Sequence, residues 1–299
     1  MKNILLIGYG YWGRIILKNL TKLPEFADSK IHVYDKYIDI TNLNGSAIAD
    51  VEYINKLTKK FLATVDKAFV IVPSTQHFDT CKDLLENGVD VFCEKPLCSN
   101  SWQAQQLHDI AEEHGRILFT DWIFTYNDQI NQIKKDYESG ELGAIKSVRM
   151  KRLNKGPERF DVDARWDLAS HDVSIVQYIF GRDEPNTVSW KNYKQNPESS
   201  QNDSTLGFID YGDFKVFIDA SWEFKEKNRE CIFEFENRLV KWDDTKAELI
   251  YQHPGYAPIK PENPTSPLEN SILAFLEMDK AAMDEQNHLT TTTLKILEK

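Results

Sequence analysis

Three side chains of this sequence could take part in acid–base chemistry on a substrate: Lys95, Asp167 and His171. Asp167 and His171 stand four residues apart, so on a helix the carboxylate and the imidazole share a face, which suits a general acid–base pair. Lys95 follows an apolar run at residues 89–93, where its ammonium group could hold a hydroxyl or carbonyl oxygen. Two alternatives stay open: a solvated Glu-Lys pair on a loop, and a histidine with a structural role at a helix start.

A glycine-rich turn near the start of the chain could hold a pyrophosphate. Gly8, Gly10 and Gly13 follow a strand-like run and open a helix-like one, and Asp35 comes 22 residues after Gly13. Gly8 allows the tight turn, Gly10 lets the backbone approach phosphate, and Gly13 lets the helix pack closely on the strand. Asp35 would bind the ribose diol and repel a 2′-phosphate, which favours NAD over NADP, although Lys36 beside it works against that preference. A bend without a ligand is the alternative.

Other cofactor contacts are expected around this turn and at the ends of later strands. Thr75 and the amides near it, in the run Val-Pro-Ser-Thr-Gln-His, could line the nicotinamide side, while Ser74 or Thr75 as a plain helix N-cap is an equal alternative. We expect the amides of Tyr11 and Trp12 to meet the phosphates while their rings wall that end of the cleft. The full expected set is Gly8, Gly10, Tyr11, Trp12, Gly13, Asp35, Pro73, Thr75, His77 and Glu94.

The elements that must position these residues alternate between strands and helices in the first 120 residues. This alternation predicts a parallel sheet covered on both faces. The strand-like runs are residues 3–7, 31–34, 68–72, 89–93 and 117–120, and the helix-like runs are 12–22, 51–60, 78–87 and 101–114.

After residue 120 the pattern changes to that of an antiparallel sheet. A helix at 128–139 precedes strands at 145–153, 206–210, 214–222, 230–236 and 239–242, with hairpin turns at 211–213 and 237–238. A proline-rich loop or arm is expected at 253–267, followed by helices at 268–283 and 290–298. The pattern therefore predicts a Rossmann dinucleotide-binding domain, residues 1–120, followed by a second domain on an open, mostly antiparallel sheet, residues 121–284.

Composition argues against several classes of protein. The 47 acidic residues outnumber the 36 basic ones, and a net charge of −11 disfavours broad affinity for nucleic acid or an anionic membrane. No apolar run is long enough for a bilayer, and the N-terminal run is too short for a signal peptide, so we expect a cytoplasmic protein. The four cysteines lack metal-ligand spacing, so we expect reduced thiols and no metal site.

Several ordered motifs resemble the Gfo/Idh/MocA oxidoreductases, a family named for glucose-fructose oxidoreductase and inositol dehydrogenase. They are GYGYWG, VPSTQH, CEKPL, SGELGAIKSVR and WDLASHD. The resemblance implies an NAD-dependent oxidoreductase whose EKP lysine and DxxxH histidine flank the nicotinamide and the reacting sugar carbon, here Lys95 with Asp167 and His171. It also implies that the last helix, residues 285–299, returns to the first domain, and that the protein is a homodimer or homotetramer.

The stretch RLNKGPERFDVDARWDLASHD is similar to the branch that acts on nucleotide-linked sugars. Asn154, Arg165 and Trp166 are the candidate substrate contacts, because arginine can clamp a phosphate or carboxylate. Arg159 is a fourth candidate, although Arg159 and Arg165 could instead balance nearby acids. The resemblance leaves two other functions open: an NAD-dependent glycosidase of the same family, and a non-enzymatic NAD(H) sensor. Phe217, Trp222 and Phe233 are candidates for an apolar subunit face, and each could be core instead.

Overall fold

The computed structural model describes residues 2–37, 51–157, 159–182, 184–252 and 265–299. The chain forms two compact units, each of which takes two pieces of the sequence. The first unit consists of Met1–Asp121 and Ser271–His288, and the second of Trp122–Asn270 and Leu289–Lys299. The sequence pattern predicts residues 121–284 for the second domain, and the family resemblance implies that 285–299 belong to the first.

The first unit is built on a six-stranded sheet in which every pairing is parallel. The strand order is β3-β2-β1-β4-β5-β6. Ile4, Leu5 and Leu6 in the central strand are fully buried, as expected where helices cover both faces. The strands are β1 (Asn3–Ile7), β2 (Lys30–Tyr34), β3 (Val51–Ile54), β4 (Lys67–Val70), β5 (Asp90–Glu94) and β6 (Leu118–Asp121); the helices of the first segment are α1 (Tyr11–Leu20), α2 (Lys59–Leu62), α3 (His77–Glu86) and α4 (Ser101–Glu113).

The helix predicted at residues 51–60 is wrong. The segment begins with strand β3, which pairs with β2 from Val51 opposite Ile31 to Ile54 opposite Tyr34, and only the four-residue helix α2 follows. Val51, Tyr53 and Ile54 are β-branched or aromatic, and pairing at the edge of the sheet outweighs the helical spacing of their apolar neighbours.

Residues from the far end of the chain complete the core of the first unit. α7 (Pro267–Glu277) brings Phe275 against Phe69, Phe92 and Phe119, one ring from each of β4, β5 and β6, with ring centres 5.5 to 5.8 Å apart. All four rings are fully buried. This packing places residues 271–288 in the first unit rather than the second.

Side chains of α8 (Lys280–Glu298) cover the outer edge of β6. The Thr120 amide donates to Gln286 Oε1 at 2.8 Å, and the Leu118 amide lies 3.5 Å from Met283 Sδ. These contacts satisfy backbone groups that an edge strand would otherwise leave open to pairing with another chain.

The second unit holds a seven-stranded sheet in the order β13-β12-β11-β7-β10-β9-β8. All of its pairings are antiparallel except the one between β7 and β10, so the predicted open, mostly antiparallel sheet is confirmed. The sequence pattern missed β8 and β13. The strands are β7 (Ile145–Lys155), β8 (Thr187–Tyr193), β9 (Ser204–Asp210), β10 (Lys215–Ser221), β11 (Glu223–Phe235), β12 (Leu239–Asp243) and β13 (Glu248–Gln252), and the helices are α5 (Asp128–Glu138) and α6 (Ser170–Phe180).

The two faces of this second sheet differ. Trp222 and Phe233 are buried in the core, 2% and 0% exposed, so they cannot form a subunit face. Phe217 lies on the other face, which carries a groove of about 540 Å³ lined also by Leu206, Phe208 and Ile232 among other residues. Arg149 covers the Phe217 ring at 4.4 Å.

Two further expectations from the sequence concern the proline-rich stretch and membrane-spanning helices. Most of the proline-rich stretch at 253–267 lies outside the described residues. Within the part of the chain that the structure describes, no helix is both long and apolar enough to cross a membrane.

Candidate functional site

At two of the three glycines of the turn, the structure has no room for a side chain. Gly8 has φ +98°, and a Cβ there would lie 2.3 Å from the Ile71 carbonyl oxygen. A Cβ on Gly13 would lie 2.0 Å from the Gly8 carbonyl oxygen, so Gly13 lets α1 pack directly against the turn. Gly10 differs, because a Cβ there would meet nothing within 4 Å. The turn therefore leaves open space in front of Gly10, the N-cap residue of α1.

Asp35, just beyond β2, is held close to this turn. Its Oδ2 accepts the Tyr9 amide at 2.7 Å and its Oδ1 accepts the Tyr37 amide at 2.8 Å. The Tyr9 ring beneath is braced by the Tyr53 ring, edge to face at 5.6 Å, and by the Arg14 guanidinium at 5.1 Å. The carboxylate is thus fixed beside the open face of Gly10, where a ribose diol would need it.

A cavity of about 410 Å³ lies in front of the turn, within the first unit. Gly8, Gly10, Asp35 and Pro73 from the expected cofactor set line it. The helix-start amides, the open glycine and the fixed carboxylate fit a dinucleotide. Sequence reasoning missed other lining residues, which come from α3 and from the segments after β2, β3 and β4: Tyr37, Leu57, Gln76, Asp79, Thr80 and Asp83.

Other members of the expected cofactor set lie elsewhere. Tyr11 is 83% exposed, and Thr75 is exposed in a short 3-10 turn, Ser74–Gln76, that leads into α3. The N-cap of α3 is Gln76, without a side-chain capping bond, so neither Ser74 nor Thr75 has that place.

His77 is buried, with one ring nitrogen 2.8 Å from the Pro96 carbonyl oxygen and the other 2.9 Å from the Val72 carbonyl oxygen. It joins the end of β4 to the loop after β5 and thereby positions that loop. Where that loop begins, at the end of β5, the Trp12 indole of α1 donates to Glu94, and the Lys95 amide lies 3.2 Å from Glu94 Oε2. The indole thus connects the start of α1 to the residue before Lys95.

Asp121 is a buried carboxyl that the sequence reading did not single out. It ends β6 directly opposite Glu94 at the end of β5, and it is 1% exposed. Burial, followed by the charge of Glu94, raises the pKa of Asp121 well above its usual range, against the opposing effects of the Ser271 hydroxyl and the Lys95 ammonium. The first unit therefore places a buried carboxyl with a raised pKa next to Glu94 and Lys95.

In the second unit, Asp167 and His171 lie on a continuous helix that begins with a π-helical turn and continues as an α-helix. Arg165–Ala169 is π-helical and runs directly into α6, which begins at Ser170. The wider turn changes the direction of Asp167 relative to the α-helical spacing assumed from sequence. Such π segments are frequent at functional sites.

Asp167 is fixed by two neighbours. Its Oδ2 accepts the Trp222 indole N–H at 3.2 Å, and its Oδ1 lies 3.5 Å from Arg159 Nη1. Arg159 also forms a two-point pair with Asp161, at 2.9 and 2.7 Å. Arg159 therefore balances acids, as one of the two sequence interpretations proposed.

The remaining substrate candidates keep unsatisfied polar atoms. Asn154 donates to the Gly156 carbonyl at 2.9 Å, while its buried Oδ1 has no hydrogen-bond partner among the described residues. Arg165 has its guanidinium 6.0 Å from the Trp166 ring centre, and its buried Nε likewise has no acceptor in the described part of the chain. Groups of this kind are suited to a polar ligand.

The structure places the expected residues in two sets. Lys95 and the cofactor residues belong to the first unit, whereas Asp167, His171, Asn154, Arg165 and Trp166 belong to the second. No cluster of three or more metal-binding side chains occurs in the ranges that the structure describes, and the four cysteines are buried free thiols.

Two family models match the chain. The one described as an oxidoreductase family with an NAD-binding Rossmann fold (GFO_IDH_MocA) matches residues 2–122. The one described as the GFO/IDH/MocA C-terminal domain matches residues 130–239.

Individual relatives are distant. The uncharacterized oxidoreductase YrbE of Bacillus subtilis is 22% identical, with 92% of this chain and 78% of that protein covered. UDP-N-acetylglucosamine 3-dehydrogenase of Acidithiobacillus ferrooxidans is 25% identical over 58% of this chain and 53% of its own length. Its solved structure, GnnA, matches with a TM-score of 0.80 at 19% identity, covering 99% of this chain and 96% of that one. The aldose-aldose oxidoreductase of Caulobacter crescentus gives a TM-score of 0.83 at 14% identity, covering 99% and 96%. Likeness at such identities shows the fold.

Proposed function

Because the chain belongs to the Gfo/Idh/MocA oxidoreductase family, we propose that it transfers hydride between NAD and a hydroxyl-bearing carbon of a sugar or nucleotide sugar. The observation that carries the proposal is the open face of Gly10 at the start of α1, with the Asp35 carboxylate held beside it in the same cavity. Amides at a helix start attract a pyrophosphate, and the carboxylate accepts from a ribose diol while repelling a 2′-phosphate.

When bound, NAD accepts a hydride from the substrate carbon or, in its reduced form, donates one. His171 takes the proton from the substrate hydroxyl as the carbon is oxidised, and returns it in the reverse direction. Lys95 donates a hydrogen bond to a substrate oxygen and stabilises negative charge that develops there. Asp167, itself fixed by Trp222 and Arg159, orients the imidazole.

The substrate class follows from the polar groups of the second unit. Arg165 carries a positive charge that no acid in the described ranges pairs with, and the buried Asn154 oxygen accepts from a hydroxyl. In a chain of net charge −11, such a local cation attracts an anionic sugar nucleotide. Arg165→Glu should weaken binding of anionic but not of neutral sugars.

The test follows the absorbance of reduced nicotinamide with a panel of sugars and sugar nucleotides. We expect one NADH per oxidised sugar, and loss of turnover with retained NADH binding in His171→Ala. Cleavage of a glycosidic bond without net production of NADH would instead identify an NAD-dependent glycosidase. NADH binding without turnover of any sugar would favour the non-enzymatic sensor.

The groove on the second sheet supports self-association. Leu206 is 46% exposed beside Phe208 and Phe217, and a monomer would leave this apolar surface in water. We expect a second copy to cover it in a homodimer or homotetramer. Light scattering of wild type and Phe217→Lys measures this, and an unchanged monomer mass for both would exclude it.

A further inference from the structure

Directly after His171, Asp172 forms a fully buried ion pair with Arg152 of β7. Arg152 Nε and Nη2 lie 3.0 and 2.7 Å from Asp172 Oδ1, and the two residues are 2% and 0% exposed. Removing two charges from water costs more than their attraction usually returns, so a buried pair is weak support for a purely stabilising role. The position of this ion pair next to His171 indicates a role at that histidine instead.

The pair reaches His171 through one aromatic ring. The Arg152 guanidinium carbon lies 4.5 Å from the Phe124 ring centre, and the Phe124 ring packs edge to face with the His171 imidazole at 5.0 Å. The guanidinium carbon and the imidazole centre are therefore at most about 9.5 Å apart. Trp242 holds Phe124 from another side, with ring centres 5.5 Å apart, and its indole is fixed by Gln129 at 2.8 Å.

The charges around the pair come from several elements. Cys231 and Arg229 of β11 and Asp244 after β12 all act on Arg152 or Asp172. Burial raises the pKa of Asp172, and the charges of Arg152 and then Arg229 oppose that effect. On the helix side, Asp167 with its partner Arg159 precedes His171. Arg152 is the cation that stacks on the ring touching His171.

We propose that the Arg152–Asp172 ion pair, acting through Phe124, positions the His171 imidazole and sets the pH range in which His171 exchanges its proton. Arg152 and Asp172 are thus positioning residues, and the proposal rests on His171 being the acid–base group of the proposed function. With both partners present, the net charge of the pair is zero. With one partner neutralised, the other acts on the imidazole uncompensated.

The experiment measures the titration midpoint of His171 by NMR in the full-length protein without substrate, with the resonance assigned by its loss in His171→Gln. Asp172→Asn leaves the Arg152 charge uncompensated, which disfavours the imidazolium, so the midpoint should fall by about one pH unit. The double variant Arg152→Met, Asp172→Leu fills the space without charge and should restore the midpoint. Asp213→Asn, which breaks the exposed Arg182–Asp213 pair, is the matched control and should change nothing.

An unchanged midpoint in Asp172→Asn, or an equal fall in the double variant, would overturn the proposal. Because this readout needs no turnover, it is separate from the proposed function. A midpoint that moves together with the acid limb of the kcat/KM profile supports both ideas. A midpoint that moves while that profile stays fixed supports the ion-pair effect on His171 and removes His171 from the chemistry.

Discussion

Replacing single glycines of the turn with alanine should separate the contribution of the turn to stability from its contribution to NADH binding. Gly13→Ala puts a methyl group 2.0 Å from the Gly8 carbonyl oxygen, so α1 must move away from the turn. Overpacking that displaces backbone costs about 1–3 kcal/mol or more. Gly10→Ala meets nothing within 4 Å and has φ −70°, which alanine adopts readily, so it should cost no more than about 1 kcal/mol as a weaker N-cap.

Although Gly10→Ala should cost little stability, we expect it to weaken the binding of NADH. Its methyl group would occupy the space from which, in the proposed site, a pyrophosphate reaches the amides at the start of α1. Losing one charge-assisted hydrogen bond of about 1.5–3 kcal/mol weakens NADH binding roughly 10- to 100-fold.

Urea unfolding measures the stability of each variant, and fluorescence titration measures NADH affinity. Wild-type affinity in Gly10→Ala would refute the assignment of this turn to the pyrophosphate. Wild-type stability in Gly13→Ala would refute the packing argument.

The remaining predictions concern single side chains. His171→Ala should lower kcat by about 10²- to 10⁴-fold with NADH affinity retained, and Lys95→Met should be as damaging; stopped-flow turnover with separate binding titrations checks both. Asp35→Ala should weaken the binding of NADH and reduce the preference for NADH over NADPH. If the ratio of NADH affinity to NADPH affinity is the same in wild type and variant, the role of the carboxylate is contradicted. Asp121, whose pKa is raised by burial, keeps its proton in the folded state where the unfolded chain releases it near pH 4, so the wild type should lose stability as pH rises. The loss should be absent in Asp121→Asn, which has no carboxyl to titrate; parallel urea midpoints for both proteins as the pH rises above about 5 would contradict it.

The parallel sheet was predictable because its central strands are buried on both faces and read as continuous apolar runs. The edge strands β3 and β8 carry no such signal. β3 has only half-buried or exposed residues, and β8 alternates between half-buried and exposed ones, so their pairing depends on neighbours distant in the sequence.

The site was predictable where backbone geometry demands a residue type, as at Gly8 and Gly13. It was not predictable where only tertiary packing decides. His77 joins two loops because β4 and β5 are neighbours, and Asp121 gains its neighbour Glu94 from the register of β5 and β6. The ring of Phe124 between Arg152 and His171 likewise left no trace in the spacing of the sequence.

The place of Phe275 has a consequence for synthesis on the ribosome. Phe69, Phe92 and Phe119 emerge early, yet the ring that packs on all three is encoded more than 150 residues after the last of them. During translation, the nascent first unit therefore exposes a three-ring apolar surface on a sheet whose β6 edge is also open. A chain released after residue 122 should bind chaperones or aggregate, and adding a peptide of residues 265–299 in trans should rescue it.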